Sequence, residues 1–155
     1  MDFVTSPRSA REEALATAVL HLERLAARGG WDGPVRVFAL VAGDGPGLGP
    51  EASPPAGPGD AGLTAIEQTG LPPATSLASL LKQLWWPPTV DGAAVVVEQV
   101  LEGRGGDVRL VGGALRTGET WCAVRMRQHD ADDLVLSAAD LVPDLLGMIQ
   151  GTLAD

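Results

Sequence analysis

Residues 93–127 read AAVVVEQVL, then a short polar gap, then DVRLVGGALRTGETWCAVRMR. These are three runs of strand-forming residues separated by short gaps. Consecutive antiparallel strands at the centre of one sheet are the arrangement such spacing allows. The first run is apolar on both alternations. Ala93, Val95, Val97 and Leu101 fall on one side, and Ala94, Val96 and Val100 on the other. A strand covered on one face alternates apolar with polar, so this one predicts cover on both. Glu98 breaks the run, and a Glu buried there demands a partner.

The next two runs predict a hairpin. Thr117-Gly118 reads as a two-residue loop, with Gly supplying a positive φ. That register sets Arg116 opposite Glu119, Ala114 opposite Trp121, and Val111 opposite Val124. Val111, Leu115, Cys122, Val124 and Met126 then form a core face. Trp121, Arg125 and Arg127 form a face that is only partly covered. Gly112-Gly113 in mid-strand predicts a bulge or a close approach to the backbone, with Trp121 lying diagonally over Gly112.

Before these strands, Ser9 and Glu12 have capping-box spacing and Gly29-Gly30 closes a helix. Leu15, Val19, Leu22 and Ala26 mark its buried stripe, while Arg11, Glu13, Arg24 and Arg28 face away. His21, at the stripe's edge, reads as a half-buried packing residue. Residues 35–42 predict a first strand, and residues 63–72 a short strand that pairs with it. Residues 43–62 are rich in Gly and Pro and read as a flexible surface loop. They lack the Lys-Ser/Thr of a phosphate loop. Residues 76–84 predict a short helix ended by Pro87 and Pro88. Residues 140–153 predict the last helix, with Asp140 as N-cap and Ser137 as an earlier alternative. The order is α-β-β-α-β-β-β-α. It predicts an α+β fold, with helices on an antiparallel sheet of about five strands, as a single domain over residues 1–155.

The net charge of −9 argues against a nucleic-acid or anionic-membrane surface. The single Cys122 excludes an intrachain disulfide and fits a reducing, cytoplasmic setting. No basic-then-apolar leader begins the chain, and no apolar run reaches the roughly 18 residues of a membrane span.

AIEQTGLP, LLKQLWWPPTVDGAAVVVEQV and RMRQHDADDLVLSAADLVPDLLGMIQGTL together resemble a family of uncharacterised actinobacterial proteins. The likeness covers the first helix and nearly everything from Leu63 onward. Family members commonly carry longer insertions after the first strand and between the strands that here end at Leu101 and start at Asp107. The element order is also similar to Roadblock-type and profilin-like domains, and less closely to type III secretion chaperones. These are non-catalytic binding folds that often dimerise. The resemblance therefore implies a protein-binding or chaperone-like module, with a protein partner or a second copy of the chain.

Two groups of residues are candidates for function. Trp85, Trp86, Trp121, Arg125 and Arg127 are candidates for an interaction patch, because Trp is enriched at interface hot spots. Paired tryptophans beside a helix end more often serve as core plugs. His129, Asp130, Asp132 and Asp133 are the alternative, as ligands of a divalent cation or as a small-ligand, hydrolytic site. Their spacing matches no known metal loop. The competing reading is a solvated acidic connection whose carboxylates pair with Arg125 or Arg127. No cofactor motif and no catalytic motif stands out: there is no C-x-x-C, H-E-x-x-H or G-x-S-x-G. Cys122 is expected to face the core, away from any reactive role.

Overall fold

The structure, a computed structural model, describes residues 9–42, 62–101 and 106–154. Of the Gly/Pro-rich segment at 43–62, residues 43–61 lie outside the described residues. The elements run α1 (Ala10–Arg28), β1 (Arg36–Ala42), β2 (Leu63–Glu67), α2 (Leu77–Lys82), β3 (Gly92–Leu101), β4 (Gly106–Leu115), β5 (Thr120–Met126), β6 (Leu136–Ala138) and α3 (Pro143–Leu153). The fold is α+β. One antiparallel sheet of six strands has the order β2-β1-β3-β4-β5-β6.

Both faces of the sheet are covered. On one, α1 lays Leu15, Val19 and Leu22 against Phe38, Leu40, Ala94, Val96, Val111 and Ala123. On the other, α2 and α3 bring Leu80, Leu81, Leu145 and Ile149 against Val37, Ala39, Val95, Val97 and Leu110. This is why β1 and β3 are apolar on both alternations. Ser9 caps α1 by accepting from the Glu12 amide at 3.1 Å, and Ser76 caps α2 by accepting from the Ser79 amide at 3.1 Å.

The hairpin differs from the sequence expectation by one residue. Val111 pairs with Ala123, Gly113 with Trp121, and Ala114 with Thr120. The loop holds three residues, Arg116 to Gly118. It is closed by Leu115 N–H donating to the Glu119 carbonyl at 2.9 Å and by Gly118 N–H donating to the Leu115 carbonyl at 2.9 Å. Gly118 has φ +108°, which a three-residue loop requires at its last position. A one-residue slip exchanges the faces of a strand. Trp121, Ala123 and Arg125 therefore lie under α1. Cys122 and Val124 face α3, and Met126 on that face is exposed rather than core.

Arg116 is thereby released from the ladder. Its guanidinium donates to the carbonyls of Val90, Leu153, Trp86 and Pro87 at 2.7–3.1 Å. It ties the end of α3 to the turn after α2.

The glycine pair is no bulge, since its pairing is continuous on both sides. A Cβ on Gly112 would sit 3.0 Å from Leu145 Cδ2 of α3. One on Gly113 would sit 2.9 Å from Val19 Cγ2 of α1. The two helices press on the sheet at the same level from opposite sides, and Trp121 does not fill the space over Gly112.

Two further boundaries move, and one strand is added. β2 ends at Glu67, short of residue 72. The last helix begins at Pro143 with Val142, not Asp140, at its N-cap. Proline at the first helical position sacrifices no hydrogen bond, which fixes the start there. Leu136–Ala138, ahead of that start, form the short β6.

Candidate functional site

The sheet carries one row of charge on the α1 face. Glu98 of β3 pairs with Arg109 of β4, which pairs with Arg125 of β5. Arg109 and Arg125 are only 1% and 2% exposed. Two like charges directly opposite would destabilise the sheet. Glu23 of α1, 1% exposed, resolves the conflict. Its carboxylate accepts from Arg125 Nε and Nη2 at 2.8 and 2.7 Å, and lies 3.5 Å from Arg109 Nη1. This bidentate grip raises the pKa of Arg125 further above its ordinary value.

The loop after α1 closes the row. Arg109 Nη2 donates to the Gly30 carbonyl, and the guanidinium stacks on Trp31, 4.3 Å from the ring centroid. Glu98 accepts from the backbone N–H of Asp32 at 2.7 Å, so the Glu that broke the apolar run has its partner. Asp32 holds a positive φ of 69°, unusual for a residue with a side chain. Its carboxylate accepts from Arg127 at 3.0 and 3.2 Å. Asp107 accepts from Arg127 at 2.9 Å.

The segment after β5 is held by the same row. Arg125 donates to Asp130 at 3.0 Å and to Asp132 at 2.6 Å. Trp31 Nε1 donates to Asp130 at 3.0 Å. These bonds lower both carboxyl pKa values, with Trp31 the main cause at Asp130 and Arg125 at Asp132. Two 3-10 turns, Arg127–His129 and Asp132–Leu134, carry the chain from there into β6.

The predicted patch residues do not share a surface. Trp121 is partly buried under α1. Trp86 is buried on the opposite face, its Nε1 donating to Thr152 Oγ1 at 2.9 Å. Trp85 beside it is 75% exposed. Arg125 is buried, and Arg127 is exposed and ion-paired. Of the alternative cluster, Asp130 and Asp132 converge on Arg125, and all four residues, His129 and Asp133 included, are exposed. Among the described residues, no three His, Cys, Asp or Glu side chains are placed to hold a metal ion. Glu67 pairs with Arg36 at 2.8 Å and stays apart from that cluster.

Sequence reasoning missed Glu23, Trp31, Arg109 and β6. It also missed what β6 displays. Leu136 is 56% exposed and Leu134 52%. Met126 lies diagonally across from Leu136, on the same face, because Leu136 pairs with Val124. Leu141 flanks the other end, its N–H donating to Cys122 Sγ. Four of the five exposed large apolar side chains among the described residues thus fall within residues 126–141. The Cys122 thiol is buried, and burial pushes its pKa up.

A family model described as PPA1309-like protein matches residues 15–105 and 102–154. No curated protein and no solved structure matches the chain. No helix among the described residues is long and apolar enough to cross a membrane.

Proposed function

The chain belongs to the PPA1309-like protein family, and from that premise we propose that it is a non-catalytic protein-binding module. The observation that carries the reading is that four exposed apolar side chains, Leu134, Leu136, Met126 and Leu141, fall on or beside the edge strand β6. Exposed apolar side chains gathered at one edge, rimmed by acidic residues, are the features of a docking surface. The charged row supports it by an indirect route. Arg125 spends its hydrogen bonds holding Glu23, Asp130 and Asp132, and so fixes the segment that presents Leu134 and Leu136. The order of elements adds an analogy to Roadblock-type and profilin-like domains and to type III secretion chaperones, which are binding folds; that analogy carries topology alone. A single, buried cysteine suits a cytoplasmic setting.

The test is affinity capture by the wild-type chain and by a Leu134→Ser, Leu136→Ser double variant. Both residues are more than half exposed, so the variant should keep its melting temperature. A protein recovered in stoichiometric amount by the first and lost by the second is the expected result. The same proteins recovered by both, or none by either, would overturn the reading.

A further inference from the structure

We propose that β6 takes up an extended, basic segment of a partner protein as a seventh strand. The inference rests on the protein-binding reading and adds the chemistry of the partner.

β6 is the last strand of the sheet, and its inner side is occupied by β5. The Ala138 carbonyl points inward, because it accepts from Cys122 Sγ at 3.2 Å. Backbone groups alternate in direction along a strand, so the N–H and C=O of Ser137 point to the open side. The usual guards of an edge are a proline, a lysine or a bulge. Leu136-Ser137-Ala138 has none of these. Only its shortness protects it, which limits the hydrogen bonds a new strand can make. Side chains must supply the rest. Leu136 and Met126 offer an apolar row on the α3 face for alternate residues of the incoming strand.

The charged side chains of residues 130–144, which flank and include β6, are all acidic. Asp132 and Asp133 precede β6, and Asp140 and Asp144 follow it, all exposed. Arg125 is committed to Glu23, Asp130 and Asp132, and Arg127 to Asp32 and Asp107; Arg24, the exposed cation that also acts on Asp132, stands on α1, on the sheet face away from Leu136 and Met126. A second copy paired antiparallel about Ser137 would bring its own Asp133 and Asp140 against these acids, and the chain's net charge of −9 adds to that repulsion. A segment of alternating basic and apolar residues meets both the acidic rim and the apolar row.

The probe is a capped heptapeptide of alternating lysine and valine. Controls are alternating glutamate and valine of equal length, and the lysines and valines segregated into two blocks. Each is titrated into the full chain and followed by amide chemical shifts and hydrogen exchange. The alternating basic peptide should shift the amides of residues 134–138 and slow exchange at Ser137. Its affinity should fall at least tenfold between about 50 and 300 mM salt. Neither control should bind within tenfold of it. Ser137→Pro removes the outward donor, and Leu136→Lys adds a guard charge at an exposed position; either should weaken binding at least tenfold. If Ser137→Pro does not fold, Leu136→Lys decides. No shifts at β6, indifference to these variants, or equal binding of the acidic peptide would overturn the proposal. So would shifts at β6 that follow the protein's own concentration, which would make a second copy the occupant. If the peptide fails while capture still depends on Leu134 and Leu136, strand addition falls and the protein-binding reading stands. If capture is also indifferent, both fall.

Discussion

Arg109 and Arg125 stand directly opposite one another on adjacent central strands, both buried, with the Glu23 carboxylate between their guanidinium groups. A buried pair of like charges persists only when a counter-charge is fixed in place. Here the counter-charge comes from α1, so α1 is locked to β4 and β5 by charge as well as by its apolar stripe. Arg109 Nη1 has no hydrogen bond among the described residues, and its ion pair with Glu23 is its contact there.

Removing Glu23 should be costly. Glu23→Gln leaves both guanidinium groups buried with too little charge against them. A loss of about 3–5 kcal/mol in urea unfolding is expected. The triple variant Glu23→Leu, Arg109→Met, Arg125→Met removes the charges together and should recover most of that loss. A triple variant no more stable than Glu23→Gln would show that the network contributes net stability.

The double glycine predicts a coupling between helix and sheet. Gly113→Ala should cost about 1–3 kcal/mol, because its Cβ would sit 2.9 Å from Val19 Cγ2 and 3.0 Å from Leu15 Cδ1. In a Val19→Ala background that clash is relieved, so the two losses should sum to more than the double variant shows. Strict additivity would show that α1 does not press on this point.

Acid should loosen the segment that leads into β6. Trp31 and Arg125 hold the Asp130 carboxyl below its ordinary pKa, and Arg125 does the same for Asp132. The unfolded chain therefore takes up these protons first. The stability is present above the unfolded value of about 3.9 and is lost as pH falls through the lower folded values. The Asp130→Asn, Asp132→Asn variant should show a smaller fall in urea midpoint between pH 6 and pH 2.5 than the wild type. An equal fall would assign the acid sensitivity elsewhere, with Glu67, lowered by Arg36, the next group to test.

Much of this architecture was legible from particular residues. The two apolar alternations of 93–101 foretold cover on both faces, and the stripe Leu15, Val19, Leu22, Ala26 foretold the buried side of α1. The hairpin register was not legible, since Thr117-Gly118 fits a two-residue loop and Arg116-Thr117-Gly118 a three-residue one. Both place Gly at the positive φ, and the difference of one residue exchanged the faces of Trp121 and Cys122. β6 escaped because three residues are too few to show an alternation. Glu23 escaped because a search for apolar spacing passes over a charge within the stripe. Its place four residues after Val19 and three before Ala26 was the available signal.

The two adjacent tryptophans should behave as opposites. Trp86 is 6% exposed, packs among the residues under α2 and α3, and donates to Thr152 Oγ1, itself bonded to the Ile149 carbonyl at 2.7 Å. Its backbone carbonyl also accepts from Arg116. Trp86→Ala should open a cavity and cost about 3–5 kcal/mol. Trp86→Phe keeps most of the ring volume and loses the hydrogen bond, so about 1 kcal/mol is expected. Trp85 is 75% exposed, and Trp85→Ala should stay within about 0.5 kcal/mol of wild type in urea unfolding. Trp85 is thus the residue with which to ask whether this corner binds a partner, because Trp86 cannot be removed without disturbing the core. If Trp85→Ala keeps its stability and also keeps every protein captured by the wild type, binding at this corner is ruled out. The β6 edge is then the remaining surface. A partner lost on Trp85→Ala but retained by the Leu134→Ser, Leu136→Ser variant would move the docking surface from the sheet edge to the end of α2.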